Sequence, residues 1–292
     1  MTSLQNYLAA HCQKELNKTV YRIKPVSGGD INQAFLLQTS GGEFFVKYQK
    51  STQALAMLQT EANALRVLAQ ARVIRIPEVV AVASLEREDA MLLMEYISPG
   101  RATPEQMRLF GRQLARLHQQ TQPEYGWSED NFIGTLPQKN RSQTTAAAFL
   151  LSERLLPQWE MAQKCGYFSN TEERSFHNLL QRLPAIIPEE KPALLHGDLW
   201  SGNYLIDENG QAVLIDPASS YGMREMDIAM SRLFGHFGQT FYQGYEEEWP
   251  LSQNYAARES IYQLYYLLVH VNLFGQSYTA SVRRVLNPYR SV

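Results

Sequence analysis

Two short runs constrain this chain more than anything else in it. They are His196-Gly197-Asp198-Leu199-Trp200-Ser201-Gly202-Asn203 and, a little further on, Val213-Leu214-Ile215-Asp216-Pro217. An aspartate, an asparagine and, at the end of an apolar run, a second aspartate suit phosphoryl transfer. The carboxylate of Asp198 can orient an attacking hydroxyl and accept its proton. Asn203 and Asp216 offer hard oxygen donors, which suit Mg²⁺ on nucleotide phosphates better than zinc. A His-x-Asp metal site for a hydrolase needs further ligands, and His11, His118, His177, His236 and His270 form no compact ligand motif. His196 is expected to buttress the loop instead.

The chain changes character near residue 97. Before it, strands are expected at Val20–Val26, Asn32–Thr39, Glu43–Tyr48, Val79–Ser84 and Ala90–Tyr96. Short helices are expected at Ser3–Leu16 and Ala54–Ala69, the latter with Leu55, Leu58, Ala62, Leu65 and Leu68 at helical spacing. From Thr103 on, the pattern is mostly helical: Pro104–Gln119, Ala146–Ala162, Thr171–Leu183, Asp227–Phe234 and Arg258–Phe274. A small hairpin, Tyr204–Ile206 with Ala212–Ile215, turns at Asp207-Glu208-Asn209-Gly210. These elements predict an α+β, bilobal, protein-kinase-like fold. A small antiparallel sheet with one helix forms the nucleotide-binding lobe (1–96), and a larger, mainly helical lobe (97–292) carries the catalytic loop, metal site and acceptor site.

Other parts of such a machine occur in the right order. Ser27, Gly28 and Gly29, with Asn32 beyond, form a loop whose backbone N–H groups suit phosphates, although tight hairpins use the same residues. Lys47, in the apolar strand Phe44-Phe45-Val46-Lys47-Tyr48, needs a partner if it points inward, and Glu61 on the following helix is the natural one. In kinases such a pair places the lysine on the α- and β-phosphates. Met94, Glu95 and Tyr96 stand where main-chain groups would meet the adenine edge. Asp227 follows Asp216 after only Pro217–Met226, too short for the peptide-binding activation segment of protein kinases and with no Ala-Pro-Glu, so a small acceptor is expected. Asp227 is read as a helix N-cap or as a brace for the loop's backbone. Trp200 is a candidate to stack on a sugar face.

The chain resembles the fructosamine kinase (ketosamine-3-kinase) family in its bacterial form. The match lies in His196–Asn203, Leu214–Ala218, Tyr221–Met230, Ser27–Asn32, and Asp130–Gly134 with Pro137-Gln138. The resemblance implies ATP-dependent phosphorylation of the 3-hydroxyl of ribulosamines, erythrulosamines or fructosamines, free or protein-bound, after which the adduct eliminates and releases its amine. It makes Asp198 the catalytic carboxylate, Asn203 and Asp216 the Mg²⁺ ligands, and Lys47 and Glu61 the phosphate-positioning pair. Two alternatives are a kinase for an aminoglycoside or choline, and a catalytically silent nucleotide-binding scaffold. The first calls for an acidic pocket, and Glu246-Glu247-Glu248 reads as exposed. Against the second, every core position is present.

Composition narrows the setting. Against 27 Lys and Arg stand 29 Asp and Glu, a formal charge of −2 with no long basic run, so no nucleic-acid footprint is expected. Met1–Ala10 shows no signal peptide, and Ile261–Phe274 is too short and too polar to span a bilayer, so it reads as a buried helix. With 2 cysteines there is no disulfide framework. These features point to a cytoplasmic protein.

Overall fold

The computed structural model describes residues 2–26 and 33–290. They divide into two compact units, Met1–Gln106 with Gly202–Pro217, and Met107–Ser201 with Ala218–Val292. The division does not follow a single cut at residue 96: the hairpin after Asn203 belongs with the first unit.

In the first unit, α1 (Ser3–Leu16) precedes β1 (Val20–Val26), β2 (Gln33–Thr39), β3 (Gly42–Lys50), α2 (Ala54–Gln70), β4 (Val79–Ser84) and β5 (Asp89–Glu95). The five strands form one antiparallel sheet in the order β1-β2-β3-β5-β4, so β3 is central. Alternation along β3 sends Val46 and Tyr48 into a core with Leu8 and Cys12 of α1. Phe45 goes the other way, against Leu58, Ala62 and Leu65 of α2. Lys47 lies on this second face.

In the second unit, the helix Tyr255–Phe274 buries residues on all sides, among them Ile261, Tyr262, Leu264, Tyr265, Tyr266 and Leu268. It is an interior helix, and among the described residues no helix is long and apolar enough to cross a membrane. The helix Pro104–His118 lies against Gln239–Glu248 at backbone distance. A Cβ on Gly111 would stand 1.9 Å from the Phe241 carbonyl oxygen, and one on Gly244 equally close to that of Arg108. The single helix expected over Ala146–Ala162 is three pieces: Ala146–Phe149, a π-helical stretch Leu150–Leu155 and Leu156–Lys164. The wide turn delivers Glu153 and Arg154 into the interior. Short pairings of Asn131–Ile133 with Leu136–Gln138, and of Ala193–Leu195 with Ser220–Gly222, complete this unit.

Candidate active site

In the first unit the chemistry gathers around Lys47. Its strand is hydrogen-bonded on both sides, opposite Ala34 and Leu92. Only 6% of the residue is exposed. Glu61 sits on the apolar stripe of α2, between Leu58 and Leu65, so it faces the sheet with them. Lys47 Nζ donates to both Glu61 oxygens at 2.9 and 2.8 Å and lies 2.9 Å from Asp216 Oδ1. Pairing with Glu61 matches the sequence expectation, whereas the second carboxylate was expected only as a metal ligand.

One ammonium thus serves two carboxylates. Burial alone would pull the Lys47 pKa down, but Asp216 and Glu61 together hold it above its ordinary value. Burial and the Asp216 charge push the Glu61 carboxyl up, and Lys47 only partly restrains it.

Asn203 and Asp216 come together through the hairpin. Tyr204 pairs with Leu214, Leu205 with Val213 and Ile206 with Ala212. The residues at its open end, Asn203 and Ile215, must therefore face each other, and the Ile215 N–H donates to the Asn203 carbonyl at 3.1 Å. Asn203 Nδ2 lies 3.5 Å from the Asp216 carbonyl. Asp216 has φ of +53°, a left-handed conformation that aspartate tolerates better than most residues. Its side chain remains 35% exposed. Among the described residues no group of three or more His, Cys, Asp and Glu could hold a metal ion. The two oxygen-bearing side chains suit a hard cation that takes its other ligands from phosphate and water, which is how Mg²⁺ binds in phosphoryl-transfer sites.

The remaining nucleotide candidates are placed as follows. Met94 packs in the core between the sheet and α2. Glu95 ends β5, with its N–H donating to the Glu78 carbonyl at 2.8 Å and its carboxylate 2.5 Å from Arg75. That N–H is therefore committed within the protein. Tyr96 follows, half-buried. Ser27, Gly28, Gly29 and Asn32 lie outside the described residues.

In the second unit Asp198 stands on a loop tied down through its main chain. Asp227 Oδ2 accepts the His196 N–H at 2.8 Å and its Oδ1 accepts that of Gly197 at 2.9 Å. The helix begins at Glu225, so Asp227 is a brace and not the N-cap. Its other neighbour is His118, with Nε2 at 3.2 Å from Oδ2, while His118 Nδ1 meets the Tyr245 hydroxyl at 2.8 Å. Burial would raise the Asp227 pKa, but His118 and the Gly197 N–H hold it below its ordinary value.

His196 Nδ1 accepts the Asp198 N–H at 3.2 Å, so the buttress role read from the sequence is that of a fully buried ring pinning the loop. Gly197 has φ of +86°, and a Cβ there would stand 2.0 Å from the Ala218 carbonyl oxygen. Only glycine fits. Trp200 is half-buried, with its N–H donating to the Asp198 carbonyl at 3.2 Å.

Sequence reasoning attached no role to the residues around Ala218–Ser220. Gln138 Nε2 donates to the Ala218 carbonyl at 3.2 Å and to Asn131 Oδ1 at 2.8 Å, and Asn131 Nδ2 donates to the Ser219 carbonyl at 2.9 Å. Tyr265 donates to Gln138, and Arg154 to Asn140 and Ser220. His118 was missed too, although it continues the buried stripe of Phe110 and Leu114, where a polar residue calls for a partner. The Glu246–Glu248 run forms no acidic pocket: Glu247 pairs with Arg108 and Arg112, and Glu248 with Arg116.

Comparison with known proteins places the chain in a family. The family profile described as fructosamine kinase matches residues 2–291. A "probable ketoamine kinase" of Lactiplantibacillus plantarum is 40% identical over 272 residues, covering 92% of this chain and 95% of that protein. The chloroplastic protein-ribulosamine 3-kinase of Arabidopsis thaliana is 36% identical over 274 residues, 92% of this chain and 83% of its own. A solved structure from Thermobifida fusca, of a chain assigned as a fructosamine-3-kinase, superposes with a TM-score of 0.88 at 29% identity, covering 98% and 99% of the two chains. An aminoglycoside phosphotransferase, 16% identical over 98% of each chain, superposes with a TM-score of 0.65 and shows that the protein-kinase-like fold is shared more widely. The chain belongs to the fructosamine kinase family.

Proposed function

We propose that this protein transfers the γ-phosphoryl group of ATP to the 3-hydroxyl of ketosamines, with ribulosamine and erythrulosamine adducts as the leading acceptors. The observation that carries the reading is the Lys47 ammonium lodged between Glu61 and Asp216, with Asn203 beside Asp216. That cluster is a phosphate-positioning lysine next to a hard-oxygen donor pair. Lys47 serves the α- and β-phosphates, and Asn203 and Asp216 are the Mg²⁺ ligands. Bound Mg²⁺ would neutralise charge on the phosphate oxygens. Asp198, on its braced loop, orients the acceptor hydroxyl and takes its proton as that oxygen bonds to the γ-phosphorus and the bond to the β-phosphate oxygen breaks.

The phosphorylated adduct then eliminates and frees its amine, a deglycation step suited to a cytoplasmic repair enzyme acting on small or protein-bound adducts. Phosphate transfer from ATP over a panel of synthetic ribulosamines, erythrulosamines, fructosamines, aminoglycosides and choline tests the acceptor class. Turnover with the ketosamines is expected. Asp198→Ala should abolish that turnover while nucleotide binding stays largely intact. Full turnover by the variant, or preference for the aminoglycosides or choline, would overturn the assignment.

A further inference from the structure

The hairpin that carries Asn203 and Asp216 at its open end is anchored at its other end by one guanidinium. Arg75 Nη1 pairs with Asp207 at the hairpin turn, and Arg75 Nη2 pairs with Glu95 at the end of β5, 2.5 Å away. The Arg75 main chain holds the hairpin nearer its open end, since the Leu214 N–H donates to the Arg75 carbonyl at 3.1 Å.

Asp207 is 1% exposed, and both of its carboxylate oxygens accept hydrogen bonds. Oδ1 takes the N–H groups of Asn209 and Gln211, both at 2.9 Å, which shapes the turn, and Oδ2 takes Arg75. The segment after β5 meets the same turn: the Gly100 N–H donates to the Ile206 carbonyl at 2.7 Å, and a Cβ on Gly100 would stand 2.0 Å from the Asp207 carbonyl oxygen. Strand β5 pairs in turn with β3, placing Leu92 opposite Lys47.

The geometry points to Arg75 as a positioning residue for the metal-bound nucleotide: by joining Asp207 to Glu95 it sets where Asn203 and Asp216 stand relative to Lys47. Its guanidinium pairs with Asp207 and Glu95 and not with these three side chains. Its effect passes through the hairpin, as residues behind metal ligands commonly act. A lysine has one compact ammonium and cannot span two carboxylates as a planar guanidinium does. The inference rests on the nucleotide reading of Asn203 and Asp216.

The test is binding of ATP with Mg²⁺ and of adenosine without metal, by calorimetry on the full chain, with thermal melting alongside. In Arg75→Met the dissociation constant for ATP with Mg²⁺ should rise roughly 10-fold or more. That for adenosine should stay within about twofold, an effect too small to signal loss of a base contact. Arg75→Lys should fall between the variant and the wild type, and it serves as the readout if Arg75→Met does not fold. Unchanged Mg²⁺-ATP binding with a lowered melting temperature would reduce Arg75 to a stabilising ion pair and overturn the proposal. Equal losses for both ligands would overturn it too. A wild-type chain that binds no Mg²⁺-ATP would defeat the kinase reading itself, a result distinct from either.

Discussion

Asp227 is the residue whose replacement should couple stability to catalysis most visibly. It is a fully buried carboxylate with three donors on its two oxygens: the His196 and Gly197 N–H groups and His118. Asp227→Asn keeps the shape but replaces one acceptor oxygen with an NH₂, which must then face a donor. Hydrogen bonds to a charged group contribute about 1.5–3 kcal/mol each, and a buried N–H left unpaired costs a similar amount. Loss of one such bond and weakening of the other give roughly 2–4 kcal/mol. For a unit of this size that corresponds to a fall in Tm of about 4–16 °C, at ~2–4 °C per kcal/mol.

The freed loop carries Asp198, so kcat should drop, by about 100-fold if the carboxylate shifts by ~1 Å. ATP affinity should change far less. Because the native Asp227 pKa is held below its ordinary value, the residue's contribution is fully present above about pH 4 and is lost as the pH falls through the native value. The stability gap between wild type and Asp227→Asn should therefore narrow in acid. Calorimetric melting from pH 3 to 7 with steady-state kinetics at pH 7 measures both effects. A variant with wild-type Tm and kcat, or a gap that widens in acid, would refute the bracing role.

Two further substitutions test other parts of the second unit. Gly197→Ala combines a left-handed backbone with a Cβ 2.0 Å from a carbonyl oxygen, whereas Gly166, at φ of +74°, has nothing within 4 Å of an added Cβ. In urea unfolding Gly197→Ala should cost roughly 2–5 kcal/mol and Gly166→Ala only about 1 kcal/mol, and the reverse order would discredit the steric argument. Glu172 caps the helix Asn170–Ile186 through Ser169 and pairs with Arg283 at 2.8 Å. Burial opposes ionisation, but these partners hold its pKa down to about 2. Its contribution is present above its ordinary value near 4.5 and is lost toward pH 2, so Glu172→Gln should flatten the acid limb of the stability–pH curve over that window, and an unchanged limb would count against it.

What the sequence disclosed follows from where local pattern and chemistry coincide. Lys47 and Glu61 could be read because a strand of period two and a helix with a leucine stripe fixed the face of each before any contact was known. Asn203 and Asp216 stand out by residue type and spacing, and the Asp207–Gly210 turn closes the hairpin that brings them together. Pairings over long separations left no such trace. Arg75 and Asp207 are 132 residues apart, and nothing periodic announces them. For that reason a single cut at residue 96 separated the hairpin from the unit it belongs to. The helix Gln239–Glu248 went unread because Gly244 counts against a helix by propensity, yet that glycine is what lets the backbone of Arg108 approach.

The same reasoning accounts for the run Tyr221–Met230, which served in the sequence only as a mark of family. Its charges are not on the surface. Arg224 is buried and pairs with Glu190 while its guanidinium lies 4.1 Å from the Trp249 ring centre, Glu225 pairs with Arg258, and Asp227 holds the backbone of the Asp198 loop. Three charge-bearing side chains within four residues can be interior only if each has its own partner, because an unpaired charge there costs several kcal/mol. Such a run tolerates little change, and loss of Asp227 is felt directly in the His196–Gly197 backbone it holds. A buried aspartate thus braces the backbone beside Asp198, and another shapes the turn of the hairpin that carries Asn203 and Asp216, Asp227 for the first and Asp207 for the second. Of these two acids, Asp227 was legible in the sequence as a brace for the loop's backbone, whereas Asp207 was legible only as the first residue of a turn.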